Sequence, residues 1–154
     1  MELYTILTRP FAYKEYFELD LVVPNLYITN VYTAKEETEL LKSHQIKHVV
    51  SMYPVSLPDF NKLYIDLYDT PSADIEQHFD TTYDFIDKHI SNGEAVMVHC
   101  HAGRSRASTI VINYLMKKYN ISFLKAYAYL KTKRPIIEPN DGFKMQLISS
   151  ENGL

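Results

Sequence analysis

Residues 95–107 read AVMVHCHAGRSRA and predict a short buried strand, a glycine-containing loop and the start of a helix. The strand covers residues 95–99, which form the compact apolar run expected of a strand buried on both faces. The helix is predicted to begin after Arg106 and to run to about Tyr119. In this arrangement Cys100 stands at the carboxyl end of the strand, close to the helix N-terminus.

Strands and helices are predicted to alternate on both sides of this unit. The strand candidates are residues 21–29, interrupted at Pro24-Asn25, residues 46–52 and residues 62–67. The helix candidates are a segment opened by a Thr33–Glu36 capping box and ending near His44, a segment over residues 75–90 ended by Asn92-Gly93, and two segments after Asn120 and Pro139. We therefore expect an α/β fold with a central, mostly parallel, twisted sheet flanked by helices, and a ligand site beyond the carboxyl ends of its strands.

The loop of residues 100–106 carries the residue types that a metal-free phosphoryl-transfer site needs. Its backbone N–H groups can turn inward and form an anion-binding nest, for which Gly103 allows the required backbone conformation. Arg106 supplies a planar fork for two phosphate oxygens, and the positive surroundings favour the nucleophilic thiolate of Cys100. The predicted phosphate-binding residues are His101, Ala102, Gly103, Arg104, Ser105 and Arg106.

The 154 residues fit one domain, predicted as a catalytic domain over residues 21–154 that follows an N-terminal arm or short helix over residues 1–20. Residues 1–99 carry 7 basic and 16 acidic side chains, whereas residues 100–154 carry 9 basic and 3 acidic ones. The positive part would attract an anionic substrate, but most of its cations, Arg134 among them, are assigned to solvent-exposed helix faces. The net charge of −3 argues against a stable nucleic-acid complex.

Cys100 is the only cysteine, so no disulfide can form within the chain, which favours a reducing compartment. The N-terminus lacks a basic region followed by an apolar core, and no apolar run approaches membrane-spanning length. We expect a cytoplasmic or nuclear protein without a membrane span. Residues 1–20 are rich in aromatic side chains and are expected to pack on their own domain, with homodimerisation through them as the alternative.

The Cys-x5-Arg loop resembles the signature of the protein tyrosine phosphatase superfamily, and the compact length resembles its dual-specificity branch. The resemblance extends from about Leu21 to Leu147 and includes residues 22–28, VVPNLYI, and residues 134–140, RPIIEPN, with Phe143 and Gln146. It implies a phosphoprotein substrate, a phosphocysteine intermediate and no cofactor. Longer, tyrosine-specific relatives have an added loop that deepens the pocket. Because this chain has little room for one, we expect a shallow pocket that accepts phosphoserine, phosphothreonine and phosphotyrosine.

Expulsion of an alkoxide or phenoxide needs a proton donor, and Asp69 is the best candidate for this general acid. It follows a predicted strand, and residues 69–75, DTPSADI, resemble the general-acid segment of dual-specificity phosphatases. Two other carboxylates compete for the role. Asp74 is better explained as the cap of the following helix, and Asp66 as a residue that alternates with apolar neighbours in a strand.

The resemblance also implies that His99 is buried and orients the loop rather than acting as the acid. No metal site is expected at His99 and His101, because no further cysteine or histidine lies at a suitable spacing. The remaining histidines are scattered along the sequence and are expected to be structural or exposed: His44, His48, His78 and His89.

Two features depart from the usual pattern of the family. Serine or threonine commonly follows the signature arginine and helps the cysteine to leave, but here Ala107 stands there, as in phosphatases of regenerating liver. Since Ser108 lies one residue further around the helix, we expect slow turnover limited by phosphocysteine hydrolysis. His101 and Arg104 are basic at positions that are often neutral, as in phosphoinositide and phosphatidylglycerophosphate phosphatases. A phospholipid or RNA 5′-phosphate substrate and a weakly active phosphate-binding module therefore stay open as alternatives.

Overall fold

The computed structural model describes residues 18–152, in which five strands form one sheet in the order β1-β2-β5-β3-β4. Only β1 runs antiparallel to its neighbour, and the other three pairings are parallel. The predicted α/β fold with a mostly parallel central sheet is confirmed. The strands are β1 (Asp20–Val23), β2 (Leu26–Thr29), β3 (Ile46–Ser51), β4 (Asn61–Tyr64) and β5 (Ala95–His99).

Helices cover both faces of this sheet. The helices are α1 (Val31–Glu36), α2 (Thr38–Ser43), α3 (Phe79–Ser91), α4 (Arg106–Tyr119), α5 (Phe123–Lys133) and α6 (Asp141–Asn152), and a short 3-10 turn (Glu76–His78) precedes α3. Along β5, Val96 and Val98 belong to the large apolar cluster formed with α3–α6, whereas Ala95 and Met97 belong to a smaller cluster formed with α1 and α2. Because alternate side chains point to opposite faces, β5 lies at the centre of both cores.

The first strand prediction, residues 21–29, corresponds to the β1–β2 hairpin. The chain reverses at Pro24-Asn25, where Asn25 takes a left-handed φ of 69°. The predicted strand over residues 62–67 is shorter than expected, because pairing with β3 ends at Tyr64. The residues that follow, which include Asp66 and Asp69, are therefore free to form a connecting segment instead of a ladder.

The Thr33–Glu36 capping box is wrong. The helix begins earlier, at Val31, because the Asn30 side chain accepts a hydrogen bond from the Thr33 N–H at 2.9 Å and caps it. The Thr33 hydroxyl is turned elsewhere and accepts from the Glu18 N–H at 3.0 Å. Helix α1 also ends at Glu36 and α2 starts at Thr38, so the predicted single helix consists of two short ones.

The predicted N-terminal arm, residues 1–20, lies outside the described residues except for its last three, and so does the proposed dimer contact through it. Within residues 18–152 no helix has the length and apolar character needed to cross a membrane.

Candidate active site

The central strand β5 delivers Cys100 to the middle of the sheet edge at which the parallel strands end. Its parallel neighbours β2 and β3 end level with it, since Thr29 and Ser51 both pair with His99. Cys100 is only 2% exposed, and the Met52 N–H donates to the His99 carbonyl at 2.9 Å. The sulfur thus lies at the enclosed base of a site formed beyond the strand ends, as the sheet rule predicts.

Five consecutive carbonyl groups of the loop, those of residues 100–104, accept hydrogen bonds from groups that surround the loop. His99 Nδ1 donates to the carbonyl of residue 100 at 3.0 Å, and the Val31 N–H donates to that of residue 101 at 2.9 Å. Nη2 and Nε of Arg134 donate to the carbonyls of residues 102 and 103 at 2.9 and 2.8 Å, and the Glu138 N–H donates to that of residue 104 at 2.8 Å.

This pattern of carbonyls determines where the N–H groups point. The described chain contains no cis peptide bond, and in a trans peptide the C=O and the N–H point in opposite directions. The N–H groups of residues 101–105 therefore point inward, away from the surrounding donors and toward the space above Cys100. A run of inward N–H groups is a nest for an anion.

Gly103 is required by the geometry of this loop. It has a positive φ of 66°, which side-chain-bearing residues avoid. A Cβ atom there would also collide with the Thr29 carbonyl oxygen and would lie 2.8 Å from Nη2 of Arg134. Any larger residue would push the loop away from β2 and from Arg134.

Arg106, the first residue of α4, is oriented by the backbone just after β3 and by that of the connecting segment after β4. Its Nη1 donates to the carbonyls of Met52 and Leu67, both at 3.0 Å. Its Nε is buried and has no hydrogen-bond partner among residues 18–152. Leaving a buried guanidinium N–H unpaired is costly, so this atom calls for an acceptor such as a phosphate oxygen.

The start of α4 also shows where the two serines near Arg106 point. Ser105 accepts from the Asn140 N–H at 2.9 Å through its hydroxyl. Ser108 donates its hydroxyl to the carbonyls of Arg104 at 2.6 Å and Ser105 at 3.0 Å, so it braces the loop from outside. Ala107, which lies between these two serines in the sequence, is fully buried and has no hydroxyl to offer Cys100.

His99 lies fully buried beneath the loop, with Nε2 2.6 Å from the Ser51 hydroxyl and Nδ1 3.0 Å from the Cys100 carbonyl. Burial is the main cause that lowers the pKa of His99 to about 4, and the ring is neutral at pH 7. Because a carbonyl only accepts, the single proton of the neutral ring is on Nδ1, and Nε2 accepts from Ser51.

Asp69 lies on the connecting segment after β4, beside a groove of about 550 Å³ that reaches Arg106. Its carboxylate is exposed and accepts from the Asn140 side-chain amide at 2.9 Å. The segment rests on the start of α6, where a Cβ on Gly142 would collide with the Pro71 carbonyl oxygen. Gly142 thus permits the close approach that sets Asp69 beside the loop.

The two competing carboxylates occupy different positions. Asp74 accepts from the Gln77 N–H at 3.2 Å and so caps the 3-10 turn, in line with the predicted capping role. Asp66 lies beyond the end of β4 and is exposed on the same groove as Asp69. Besides these two carboxylates and Arg106, three tyrosines line the groove: Tyr53, Tyr64 and Tyr68.

His101 and Arg104 lie on the outside of the loop, and both are exposed. The His101 ring packs against Tyr53 and Tyr32, with centroid distances of 4.9 and 5.7 Å. The side chain of His101 thus belongs to an aromatic rim at the mouth of the site, which also includes the Tyr53 ring beneath Arg106.

Sequence reasoning missed three residues that hold the site. Arg134 was expected on a solvent-exposed helix face, but it is 1% exposed and pairs with Glu18 and Asp20 as well as with the loop. Asn140 links the Asp69 carboxylate to Ser105. Ser51 donates its hydroxyl to Nε2 of His99 and so holds the ring beneath the loop. The resemblance over residues 134–140 contained two of the three, but a linear pattern does not show what a side chain contacts.

A second polar cluster lies at the opposite end of the sheet. The ligand atoms of His48, His89 and Glu94 lie within 4.8 Å of one another, and burial is the main cause that lowers the pKa of His89. The two imidazole rings are stacked, with centroids 3.5 Å apart and planes 8° apart. An imidazole binds a metal in the plane of its ring, and one ion cannot lie in two parallel planes. The stacking of the rings therefore disfavours a metal centre. Asn61 is the hydrogen-bond partner of the other nitrogen of each ring, whereas His48 Nε2 and His89 Nδ1 lie 3.3 and 3.8 Å from Glu94 without a hydrogen bond.

Known proteins that are similar to this chain include dual specificity phosphatases. A family model described as the catalytic domain of dual specificity phosphatases matches residues 26–153. A probable dual specificity protein phosphatase of Dictyostelium discoideum is 41% identical over 134 residues, which are 84% of this chain. Dual specificity protein phosphatase 1B of Arabidopsis thaliana is 37% identical over 141 residues and is covered over 84% of its own length. The chain spans only 33% of the length of the Dictyostelium relative.

Among solved structures, the chain resembles the human tyrosine phosphatase-like serine/threonine/tyrosine-interacting protein. The two share 30% sequence identity and superpose with a TM-score of 0.83. The match covers 88% of this chain and 97% of the other.

Proposed function

This chain belongs to the dual specificity phosphatase family, and we propose that it hydrolyses phosphate monoesters of tyrosine, serine and threonine in proteins through a phosphocysteine intermediate. One observation carries the proposal. Five consecutive loop carbonyls bond outward, so that the N–H groups and the unpaired Nε of Arg106 surround Cys100 with donors. A tetrahedral phosphate has the charge and the number of acceptor oxygens to use them all.

In the first step, the Cys100 thiolate attacks phosphorus in line, and the bond from phosphorus to the ester oxygen breaks as the bond to sulfur forms. The loop N–H groups and Arg106 hold the three equatorial oxygens and stabilise the charge on them. Because these donors are fixed by the surrounding fold, little reorganisation is needed during the reaction. This preorganisation is the main catalytic contribution that we assign to the loop.

The leaving oxygen takes its proton from Asp69. This residue is presented from the groove wall beside Arg106 and is held by Asn140, so its carboxyl group can approach the leaving group from outside the nest. In the second step Asp69, now ionised, accepts a proton from the water that attacks the phosphocysteine. Thiolate and inorganic phosphate are the products.

We expect the second step to limit turnover, because no hydroxyl follows Arg106. Ala107 is fully buried, and the Ser108 hydroxyl is already donated to two loop carbonyls. Ala107→Ser would add a donor for the departing sulfur, and steady-state turnover should rise about tenfold, the value of one hydrogen bond to a charged group. Stopped-flow measurement of the initial burst checks the prediction: the burst should shrink, and an unchanged burst and turnover would contradict it.

Residues around the groove favour a peptide over a small phosphate ester. The rim of Tyr32, Tyr53 and His101 and the further tyrosines of the groove offer amphipathic surface that suits extended peptide chains. The single cysteine must stay reduced to react, so we infer that the protein works in the cytosol or the nucleus.

A phosphate-binding module with little activity is the second candidate. Ala107 favours it, and one solved relative is named a tyrosine phosphatase-like interacting protein. The two candidates differ in whether the bound phosphate is released from its ester.

One assay separates these functions. The purified chain is incubated with phosphotyrosine, phosphoserine and phosphothreonine peptides, phosphoinositide vesicles and RNA 5′-triphosphate, with Cys100→Ser as the blank and orthovanadate as inhibitor. We expect vanadate-sensitive phosphate release, fastest from the phosphopeptides. Faster release from lipid or RNA would replace the protein substrate, and binding of phosphopeptides without any release would support the binding module.

A further inference from the structure

We propose that Arg134 is a positioning residue for the phosphate nest, acting through its shape and not through its charge. The inference rests on the proposed function, because it concerns how the same loop binds an oxyanion. Arg134 is 1% exposed and lies just beyond the end of α5, behind the loop as seen from Cys100.

The guanidinium group of Arg134 holds the two central carbonyls of the loop. Nε donates to the Gly103 carbonyl at 2.8 Å and Nη2 donates to the Ala102 carbonyl at 2.9 Å. Nε and Nη2 lie on the same edge of the planar guanidinium group, and the fixed distance between them matches the distance between two successive carbonyl oxygens of the loop. The next N–H groups along the chain, those of Gly103 and Arg104, are thereby turned inward.

The other carbonyls of the loop do not depend on Arg134. Backbone N–H groups hold those of His101 and Arg104, and the ring of His99 holds that of Cys100. Only the centre of the loop, where Gly103 has its left-handed conformation, relies on a distant side chain, that of Arg134 at the end of α5. Loss of Arg134 should therefore disturb the middle of the nest while both of its ends stay in place.

The far side of the guanidinium is fixed by two carboxylates. Nη1 lies 2.6 Å from a Glu18 oxygen and 2.7 Å from an Asp20 oxygen. Because two negative charges face one positive charge, the group has no net positive charge to offer the phosphate. Its effect on the site is thus predicted to be geometric, and this distinguishes Arg134 from Arg106.

The test compares Arg134→Lys, Arg134→Gln and the double variant Glu18→Gln/Asp20→Asn. The control is Asn113→Ala, which removes a buried hydrogen bond from α4 to the Phe79 carbonyl without touching the loop. Three quantities are measured on protein shown to be folded by circular dichroism: the vanadate inhibition constant, kcat and KM separately, and the pH midpoint of Cys100 alkylation by iodoacetamide.

We expect Arg134→Lys to weaken vanadate binding about tenfold, nearly as much as Arg134→Gln, since one ammonium cannot bridge two carbonyls. The alkylation midpoint should move to higher pH in both variants, because the N–H groups no longer converge on the sulfur. Asn113→Ala should change neither quantity, even where it lowers the melting temperature by a similar amount. The double variant should bind vanadate no more tightly than the wild type.

Three results would overturn the proposal. Vanadate binding in Arg134→Lys within twofold of the wild type would show that the loop holds its own shape. Tighter binding by the double variant would show that Arg134 acts through its charge. A fall in activity that Asn113→Ala reproduces would show a merely structural role. If Arg134→Gln does not fold, Arg134→Lys and the double variant decide. A wild type that neither turns over substrate nor binds vanadate would instead overturn the proposed function itself.

Discussion

The loop of residues 100–106 and the segment that carries Asp69 face the same groove but are held in opposite ways. Every carbonyl from residue 100 to residue 104 is bonded to the surrounding fold. The Asp69 segment has no regular structure and exposes its side chains, with Tyr68 at 79%. It is tied to α6 through Asn140, Gly142 and Gln146, whose amide donates to the Ala73 carbonyl.

This difference separates two tasks of the site. Oxyanion stabilisation needs donors that stay fixed while charge develops, and a fully bonded loop supplies them. Proton transfer needs a group that approaches the leaving oxygen after the substrate has bound, and a segment tied at a few points permits that adjustment. Substitutions in the loop of residues 100–106 should therefore reduce activity toward every substrate, whereas substitutions in the Asp69 segment should spare substrates that need no proton donor.

The largest expected effect lies at the fixed end. Arg106→Lys keeps the charge but loses the planar guanidinium group. That group binds the Met52 and Leu67 carbonyls through Nη1 and leaves Nε unpaired for the phosphate. We expect kcat/KM to fall about 10³-fold for aryl and alkyl phosphates alike. Steady-state kinetics with both substrates checks this, with Lys125→Arg on the surface as the control. A loss confined to alkyl phosphates would contradict it.

The next effect lies at the adjustable end. Asp69→Asn removes the proton but keeps the size of the side chain, and kcat/KM for an alkyl phosphate, which reports the first step, should fall about 10²-fold. The fall in kcat/KM should be much smaller for an aryl phosphate whose phenol leaves without protonation. Asp66→Asn, on the same groove, is the matched control and should have little effect. If Asp66→Asn is the more damaging change, Asp66 is the acid and the assignment to Asp69 is wrong.

A third prediction concerns stability at the fixed end. The folded protein keeps His99 neutral down to about pH 4, whereas the unfolded chain takes up a proton near pH 6.5. Stability is therefore lost as the pH falls below 6.5, by about 1.4 kcal/mol per pH unit. Between pH 7.5 and pH 5 this amounts to about 2 kcal/mol.

Urea unfolding of the wild type and of His99→Gln at both pH values isolates the contribution of this ring. The variant lacks the titrating group, so its stability should depend less on pH by about the same amount. Equal pH dependence of the two proteins would mean that His99 titrates equally in the folded and unfolded states, and would contradict the prediction.

The smallest effect is expected where the two regions meet. Asn140→Ser keeps a cap for the Phe143 N–H but loses the amide that donates to Asp69. We expect kcat for an alkyl phosphate to fall about tenfold, with vanadate binding and the melting temperature unchanged. Asn140→Ala loses the cap as well and should also melt lower. Weaker vanadate binding by Asn140→Ser would show that the phosphate nest depends on this link.

Local patterns in the sequence were sufficient where the partners are close along the chain. The buried strand, Gly103 and the Cys100–Arg106 spacing predict the nest because a strand, a loop and a helix in succession allow few geometries. The Thr33–Glu36 capping box failed for a local reason: Asn30 supplied a better acceptor one turn earlier. Asp69 lies beside the groove, and its role as the general acid stays a prediction.

What only the tertiary structure decided is which distant side chains hold these local units. Arg134 reaches Asp20 across 114 positions and Gly103 across 31, Asn140 reaches Asp69 across 71, and His99 reaches Ser51 across 48. These partners meet because β5 pairs between β2 and β3 and because α5 ends, and α6 begins, against the loop. The sequence by itself determined the mostly parallel sheet and predicted Cys100 as the nucleophile and Arg106 as the phosphate fork, since each follows from patterns local in the chain. The sequence around Arg134 reads the same whether its side chain is buried or exposed, and only the packing of the folded chain shows that it is buried.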